Sequence, residues 1–135
     1  MRIIDGIGST EMLHIFIASP AEETRPGSVG RPVPGYEAVV FDNAMAPAAP
    51  GVVGRLAVRG PTGCRYLDDP RQSVYVVDGW NVTGDAFRVD EDGYFWFAAR
   101  TDDLIDSAGY NISPLEVESA LLEHDAVAEL SLIHI

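Results

Sequence analysis

The sequence predicts an α+β protein in which strands and turns fill the first hundred residues and a small α/β unit follows. Short apolar or alternating runs, separated by segments rich in proline and glycine, are typical of strands in the first part. Beyond Arg100 no basic residue occurs, and Ser113-Pro114 provides the start of a helix. We therefore expect a β-rich domain over residues 1–101 and a second, unfinished unit over residues 102–135.

The β-rich part contains patterns for several strands in succession. Residues 15–18 form a short apolar run, and residues 19–35 are a loop because prolines and glycines recur through them. Residues 36–42 and 55–59 alternate as half-buried strands do. The turn sequence DEDG at residues 90–93 separates two further apolar runs, which predicts a β-hairpin.

The second unit is expected to begin near residue 103. A brief apolar pair at residues 104–105 and a turn at residues 107–109 precede the helix that starts at Ser113-Pro114. Apolar side chains recur along one face of this helix, at Leu115, Val117, Leu121 and Leu122. Residues 127–135 have the pattern of a strand with no closing turn.

Charge excludes some classes of partner. The chain carries nine basic residues, all of them arginine, against 21 acidic residues, for a net charge of −12. Eight of those acids lie after Arg100, where there is no cation to balance them. Such a chain repels a polyphosphate backbone, so nucleic acids and anionic membranes are not expected partners.

Other composition features favour a cytoplasmic protein. No run of about eighteen apolar residues is present, so we expect no membrane-spanning helix. The single cysteine, Cys64, has no partner for an intramolecular disulfide. The three histidines lack the spacing of metal ligands.

The segment GIGSTE at residues 6–11 combines flexible backbone, two hydroxyls and a carboxylate. Glycine allows backbone N–H groups to approach a phosphate, Ser9 and Thr10 can donate to its oxygens, and Glu11 can ligate a bridging Mg²⁺. The same residues are also typical of a helix N-cap. This segment alone leaves both interpretations open.

Two other polar groups have a functional and a structural interpretation. Asp85 is expected on a turn, where its carboxylate can accept both hydroxyls of a ribose or simply stabilise an Asx-type turn. Arg100 can bind a ribose or phosphate, or it can belong to a solvated cluster with Asp102 and Asp103.

Taken together and in order, these pieces resemble the adenylate-forming (acyl-CoA synthetase-like) enzymes. The resemblance rests on GSTE at residues 8–11, GRLAVRGP at 54–61, TGD at 83–85, RTDDLIDSAG at 100–109 and ISPLEVE at 112–118. Two segments, residues 5–16 and 60–66, are similar to the benzoate– and 2-aminobenzoate–CoA ligases. The resemblance implies the β-rich end of the large AMP-binding domain, followed by the start of the small C-terminal domain.

The resemblance also implies a role for each matching residue. Thr10 would contact the α-phosphate, within a nucleotide-binding segment that includes Gly8 and Ser9, and Glu11 would ligate Mg²⁺. Asp85 would bind the ribose hydroxyls, with Arg100 beside it. Asp102 would be the hinge between the domains, and Gly109 would line the coenzyme A tunnel. The acyl pocket would include Met12, Leu13 and His14.

The implied enzyme joins a small aromatic carboxylic acid to AMP from ATP and then to coenzyme A, as in the degradation of aromatic acids. A non-catalytic nucleotide- or partner-binding module and a synthetase for a non-aryl acid are the alternatives. The family's phosphate loop and its acyl-phosphate lysine have no counterpart in this sequence, which contains no lysine. We therefore expect a segment of a longer enzyme, inactive without the remainder, whose last six residues fit the family poorly.

Overall fold

Antiparallel β-sheet dominates the computed structural model, which describes residues 4–107 and 110–132. The strands are β1 (Gly6–Ser9), β2 (His14–Ala18), β3 (Arg31–Pro32), β4 (Glu37–Phe41), β5 (Gly54–Arg59), β6 (Val76–Val77), β7 (Trp80–Val89), β8 (Phe95–Arg100), β9 (Ile105–Ser107) and β10 (Tyr110–Ile112). The helices are α1 (Arg71–Tyr75) and α2 (Pro114–Leu122). The predicted α+β class is confirmed.

Three sheets form in the described residues. The first has the order β1-β2-β3, and the second has the order β4-β5-β7-β6, with β8 also paired to β7 on the side away from β5. Strands β9 and β10 pair only with each other. Phe16 and Ile17 of the first sheet and Leu56, Val58 and Phe87 of the second belong to one buried core. The first two sheets therefore pack as one body.

The predicted hairpin around residues 90–93 is present between β7 and β8. Asp90 explains why the chain turns here, because its Oδ1 accepts hydrogen bonds from the backbone N–H groups of Asp92 at 3.0 Å and Tyr94 at 2.9 Å. Its Oδ2 accepts a bond from the indole N–H of Trp96 at 3.0 Å. One carboxylate thus satisfies two backbone donors of the turn and the indole of Trp96.

The segment of residues 19–35, predicted to be a loop, contains the short strand β3 and meets the second sheet at Gly30. The backbone N–H of Phe95 donates to the Gly30 oxygen at 2.8 Å, so the loop is hydrogen-bonded to β8. Gly30 has φ +104°, and an added Cβ would lie 2.0 Å from the carbonyl oxygen of Ala18. Only glycine fits at this position.

We expect Gly30→Ala to destabilise the chain by about 2–4 kcal/mol, because it adds left-handed strain to a backbone clash. Gly51→Ala is the matched control, since Gly51 also has positive φ but has nothing within 4 Å of an added Cβ. Urea denaturation followed by far-UV circular dichroism measures both. Equal losses of stability would show that the clash at Ala18 is relieved at little cost.

The second unit confirms one prediction and corrects another. Helix α2 begins where expected, and the Ser113 hydroxyl accepts the Glu116 N–H at 3.4 Å and donates to the Ala98 oxygen at 2.7 Å. The predicted strand from residue 127 is wrong within the described residues, where 127–132 form no strand. The apolar face of α2 is exposed at Leu115, Leu121 and Leu122.

Neither helix in the described part of the chain has the length and apolar content that a membrane crossing requires.

Candidate functional site

The segment GIGSTE forms a strand and a turn. Residues 6–9 are β1, and the Ser9 hydroxyl accepts the backbone N–H of Met12 at 3.2 Å, which closes a turn into β2. The alternative of a helix N-cap is therefore wrong. Gly8 is explained by strand pairing, because an added Cβ would lie 2.6 Å from the His14 carbonyl oxygen.

Glu11 lies at the outer side of this turn and is half-buried. Its Oε1 accepts the hydroxyl hydrogen of Tyr66 at 2.9 Å. A hydrogen bond from its own backbone N–H, and then the bond from Tyr66, lower the pKa of Glu11 below its usual value. The side chain is therefore an anion at neutral pH.

Asp85 and Arg100 face each other across neighbouring strands. They form a register pair of β7 and β8, and Arg100 Nη1 donates to Asp85 Oδ1 at 2.6 Å. The Asp85 side chain is 15% exposed and that of Arg100 is 53% exposed. The hydrogen bond to Asp85 raises the pKa of Arg100. Asp85 lies within a strand, so the prediction of a turn position is wrong.

Gly84 permits this pair to form. It has φ +73°, and an added Cβ would lie 3.2 Å from Arg100 Nη2. The Gly84 oxygen accepts both the backbone N–H of Thr101 at 3.0 Å and the Thr101 hydroxyl at 3.1 Å. The backbone after Arg100 is thereby held against β7, with the guanidinium lying over the glycine.

One open cleft brings Glu11 and Arg100 together although they are far apart in sequence. Its volume is about 820 Å³, within the usual range for sites of small molecules. Asp85 is connected to it through Arg100, whereas Thr10 is not part of its wall. Among the described residues the wall includes Glu11, Tyr66, Tyr75, Thr83, Arg100 and Asp102.

The cleft contains both signs of charge. Arg71 lines it but pairs with Asp69 at 2.7 Å, and Arg100 pairs with Asp85. Burial raises the pKa of the Tyr75 hydroxyl, so this part of the wall is neutral. The described residues offer no cluster of three or more metal-ligating side chains. A cation here would need oxygens of its ligand in addition to Glu11.

The residues predicted for the acyl pocket do not line this cleft. Met12 is fully buried in the core shared by the two sheets. Leu13 has φ +57° and is exposed, and the His14 ring stacks on Tyr36 with centroids 5.9 Å apart. Their assignment to an acyl pocket stays a prediction.

The predicted hinge residue, Asp102, lies in the wall of the cleft. Asp102 is 80% exposed, and its Oδ1 lies 3.8 Å from Arg100 Nε. An exposed ion pair of this length contributes at most about 1 kcal/mol, so it restrains the backbone weakly. Gly109, predicted for the coenzyme A tunnel, lies outside the described residues.

Tyr66 and helix α1 are parts of the site that the sequence does not predict. Tyr66 lies in a segment similar to the family, but no pattern gives it a role or predicts a helix over residues 71–75. The sequence signal at the start of this helix is Asp69-Pro70. Asp69 Oδ1 accepts the backbone N–H of Arg71, the first residue of α1, at 2.9 Å.

Comparison with known proteins then identifies the family. The model of the family described as AMP-binding enzyme matches residues 1–66. Benzoate–CoA ligase from Thauera aromatica is 41% identical over 134 residues, which cover 97% of this chain and 25% of that protein. The chain belongs to the AMP-binding enzyme family. A mitochondrial acyl-coenzyme A synthetase from Mus musculus is 40% identical, over 98% of this chain and 24% of its own length.

Solved structures of this family have the same fold. An anthranilate CoA ligase in complex with anthranoyl-AMP matches with a TM-score of 0.81 at 41% identity, over 96% of this chain and 26% of that one. A benzoate CoA ligase from Burkholderia xenovorans matches with a TM-score of 0.80 at 38% identity, over 96% of this chain and 26% of that one. The chain thus spans about a quarter of the length of these relatives.

Proposed function

We propose that the full-length protein is an ATP-dependent aryl-carboxylate–CoA ligase, to which this chain contributes one wall of the nucleotide site. The observation that carries the proposal is the shared cleft of Glu11 and Arg100, with Asp85 bonded to Arg100. The acid and ATP would form an acyl adenylate and pyrophosphate. The thiol of coenzyme A would then displace AMP to give the acyl-CoA.

Binding of the nucleotide is the task proposed for Asp85 and Arg100. The Asp85 carboxylate keeps acceptor capacity beyond its bond to Arg100, which suits the two hydroxyls of a ribose. Arg100 holds that carboxylate in one orientation. Interactions of this kind orient the α-phosphorus toward the attacking carboxylate, and orientation contributes several kcal/mol to such reactions.

The phosphate end is assigned to the turn after β1. Thr10, with Gly8 and Ser9 before it, is proposed to face the α-phosphate, and Glu11 is proposed to hold Mg²⁺. The donor set fits this ion, since Mg²⁺ is usually held by one or two carboxylates together with substrate phosphates. Bound there, the ion would offset negative charge that develops on the phosphoryl oxygens.

The domain boundary is also a proposal. We place the end of the large domain at residue 101 and the hinge at Asp102. The pairing of β9 and β10 only with each other, apart from the five-stranded sheet, supports a separate unit from residue 102 onward. Gly109 is proposed to line the coenzyme A tunnel of this unit.

An aromatic acid is the proposed substrate, and the cytoplasmic degradation of aromatic acids is the proposed setting. Two relatives, named for benzoate and anthranilate, are each 41% identical to this chain. An acetyl-coenzyme A synthetase from Bacillus subtilis is 40% identical over 84% of the chain. Because of this relative, a non-aryl acid is the second candidate substrate.

We expect the full-length protein to activate benzoate or 2-aminobenzoate with a kcat/KM at least about tenfold above that for acetate or a long-chain fatty acid, because one or two methylenes already change binding by about 1–3 kcal/mol. Pyrophosphate release with each acid, with and without coenzyme A, measures this preference. Preference for acetate or the fatty acid would refute the aryl assignment. No acid-dependent release of pyrophosphate would refute the ligase itself and favour a binding module.

A further inference from the structure

Tyr66 reaches the carboxylate proposed to hold the metal ion from a distant part of the chain. Its hydroxyl donates to Glu11 Oε1 at 2.9 Å, although the two residues are 55 positions apart. Both side chains line the cleft. A neutral donor at this distance directs one carboxylate oxygen without neutralising its charge.

Helix α1 holds Tyr66 in this position through three different contacts. The Gln72 side-chain oxygen accepts the backbone N–H of Tyr66 at 2.8 Å. The edge of the Tyr66 ring meets the Tyr75 ring at an angle of 87°, with centroids 5.7 Å apart. The Arg71 guanidinium lies 4.5 Å from the centre of the Tyr66 ring. These contacts restrict both the backbone and the ring, so the hydroxyl has a defined direction.

The geometry leaves Glu11 able to bind a cation. An ionised carboxylate has about four lone-pair sites, of which the Glu11 backbone N–H and the Tyr66 hydroxyl occupy two. Fixing the other sites in advance lowers the entropic cost of binding an ion between the carboxylate and phosphate oxygens. Groups that orient a metal-binding side chain typically change metal affinity by about 10–100-fold when they are removed.

We propose that Tyr66 is a positioning residue that orients Glu11 toward the cleft and thereby sets the affinity of the site for the divalent cation bound with ATP. Helix α1 is the support that holds Tyr66. This inference rests on the proposed function, in which Glu11 is the metal ligand. It assigns a task to a tyrosine and a short helix that the reaction scheme above does not use.

The test compares Tyr66→Phe with Tyr94→Phe in the full-length protein. Tyr66→Phe removes the hydroxyl and keeps the ring that packs on Tyr75 and Arg71. Tyr94→Phe is the matched control, because the Tyr94 hydroxyl also donates to a carboxylate, Glu23 Oε2 at 3.1 Å, outside the cleft. Binding of Mn²⁺ in the presence of ATP, measured by electron paramagnetic resonance, should weaken about tenfold in Tyr66→Phe only.

A third variant, Glu11→Gln, separates failure of the inference from failure of the proposed function. Unchanged Mn²⁺ affinity in Glu11→Gln would refute the metal-ligand assignment and hence the proposed site. Weaker binding in Glu11→Gln together with unchanged binding in Tyr66→Phe would overturn the role of Tyr66 alone. Equal weakening in Tyr66→Phe and Tyr94→Phe would also overturn it, because the effect would then be a general loss of stability.

A fourth variant is used if Tyr66→Phe does not fold. Gln72→Met removes the acceptor for the Tyr66 backbone N–H and leaves the Tyr66 hydroxyl and ring unchanged. The inference then requires a severalfold loss of Mn²⁺ affinity with an unchanged thermal midpoint. Affinity equal to that of the unmodified protein would overturn it.

Discussion

Asp85→Asn in the full-length protein will lower kcat/KM for ATP in acyl-adenylate formation by about 100-fold. The substitution keeps the size of the side chain and removes its charge. A hydrogen bond to a charged group contributes about 1.5–3 kcal/mol, and 1.4 kcal/mol corresponds to a factor of ten. The variant also weakens the 2.6 Å contact with Arg100, so the guanidinium loses its orientation in the cleft. Steady-state kinetics and calorimetric titration with ATP measure the two effects.

The control for Asp85→Asn is Glu37→Gln. Glu37 also pairs with an arginine, Arg59, at 2.7 Å, but it is exposed and does not line the cleft. We expect less than a twofold change in kcat/KM for this variant, because exposed ion pairs contribute little. Normal ATP affinity in Asp85→Asn, with a loss confined to kcat, would contradict a ribose contact.

Local sequence signals predicted those elements whose cause is local. The hairpin of β7 and β8 needs only the turn chemistry of Asp90, and α2 needs only the cap at Ser113 followed by proline. The pairing of β9 with β10 and the strand at residues 6–9 have weak local signals. They form because they meet a neighbouring strand. Tertiary pairing of this kind is not visible in a single sequence.

The strand predicted from residue 127 is wrong, and the reason again is tertiary pairing. An apolar run forms a strand only where another strand can pair with its backbone. In the described residues, the Leu132 N–H instead donates to Glu118 Oε1 of α2 at 2.7 Å. The apolar pattern alone therefore overestimated the regular structure after α2.

The site could be predicted in its composition but only partly in its geometry. The resemblance supplied Glu11, Asp85 and Arg100, which the structure brings to one cleft or binds to its wall. It did not supply Tyr66, whose contact with Glu11 depends on the path of the chain between β5 and α1. Thr10 also lies outside the cleft wall, because the turn after β1 directs Glu11, the next residue, into it.

The 135-residue chain by itself will not catalyse acid-dependent exchange of pyrophosphate into ATP. Adenylation requires donors and a cation around the leaving pyrophosphate, and removing one such donor typically costs about 100–1000-fold. This sequence contains no counterpart of the family's phosphate loop and no lysine, so two of these groups are missing from it. Of the arginines at the cleft, Arg71 is paired with Asp69 and Arg100 with Asp85. We expect exchange at least about 10⁴-fold below that of the full-length protein.

AMP should still bind to this chain, because Asp85 and Arg100 are present. The binding should be weak, because the net charge of −12 opposes a phosphate and this chain contributes only one wall of the proposed site. Calorimetric titration of AMP into the chain, with Asp85→Asn as the control, separates this residual site from nonspecific association. Exchange of labelled pyrophosphate with benzoate present gives the catalytic measurement. A rate within about tenfold of that of the full-length protein would mean that the cation and the pyrophosphate donors needed for adenylation lie within these residues. Arg55, which also lines the cleft, would then be the first residue to replace.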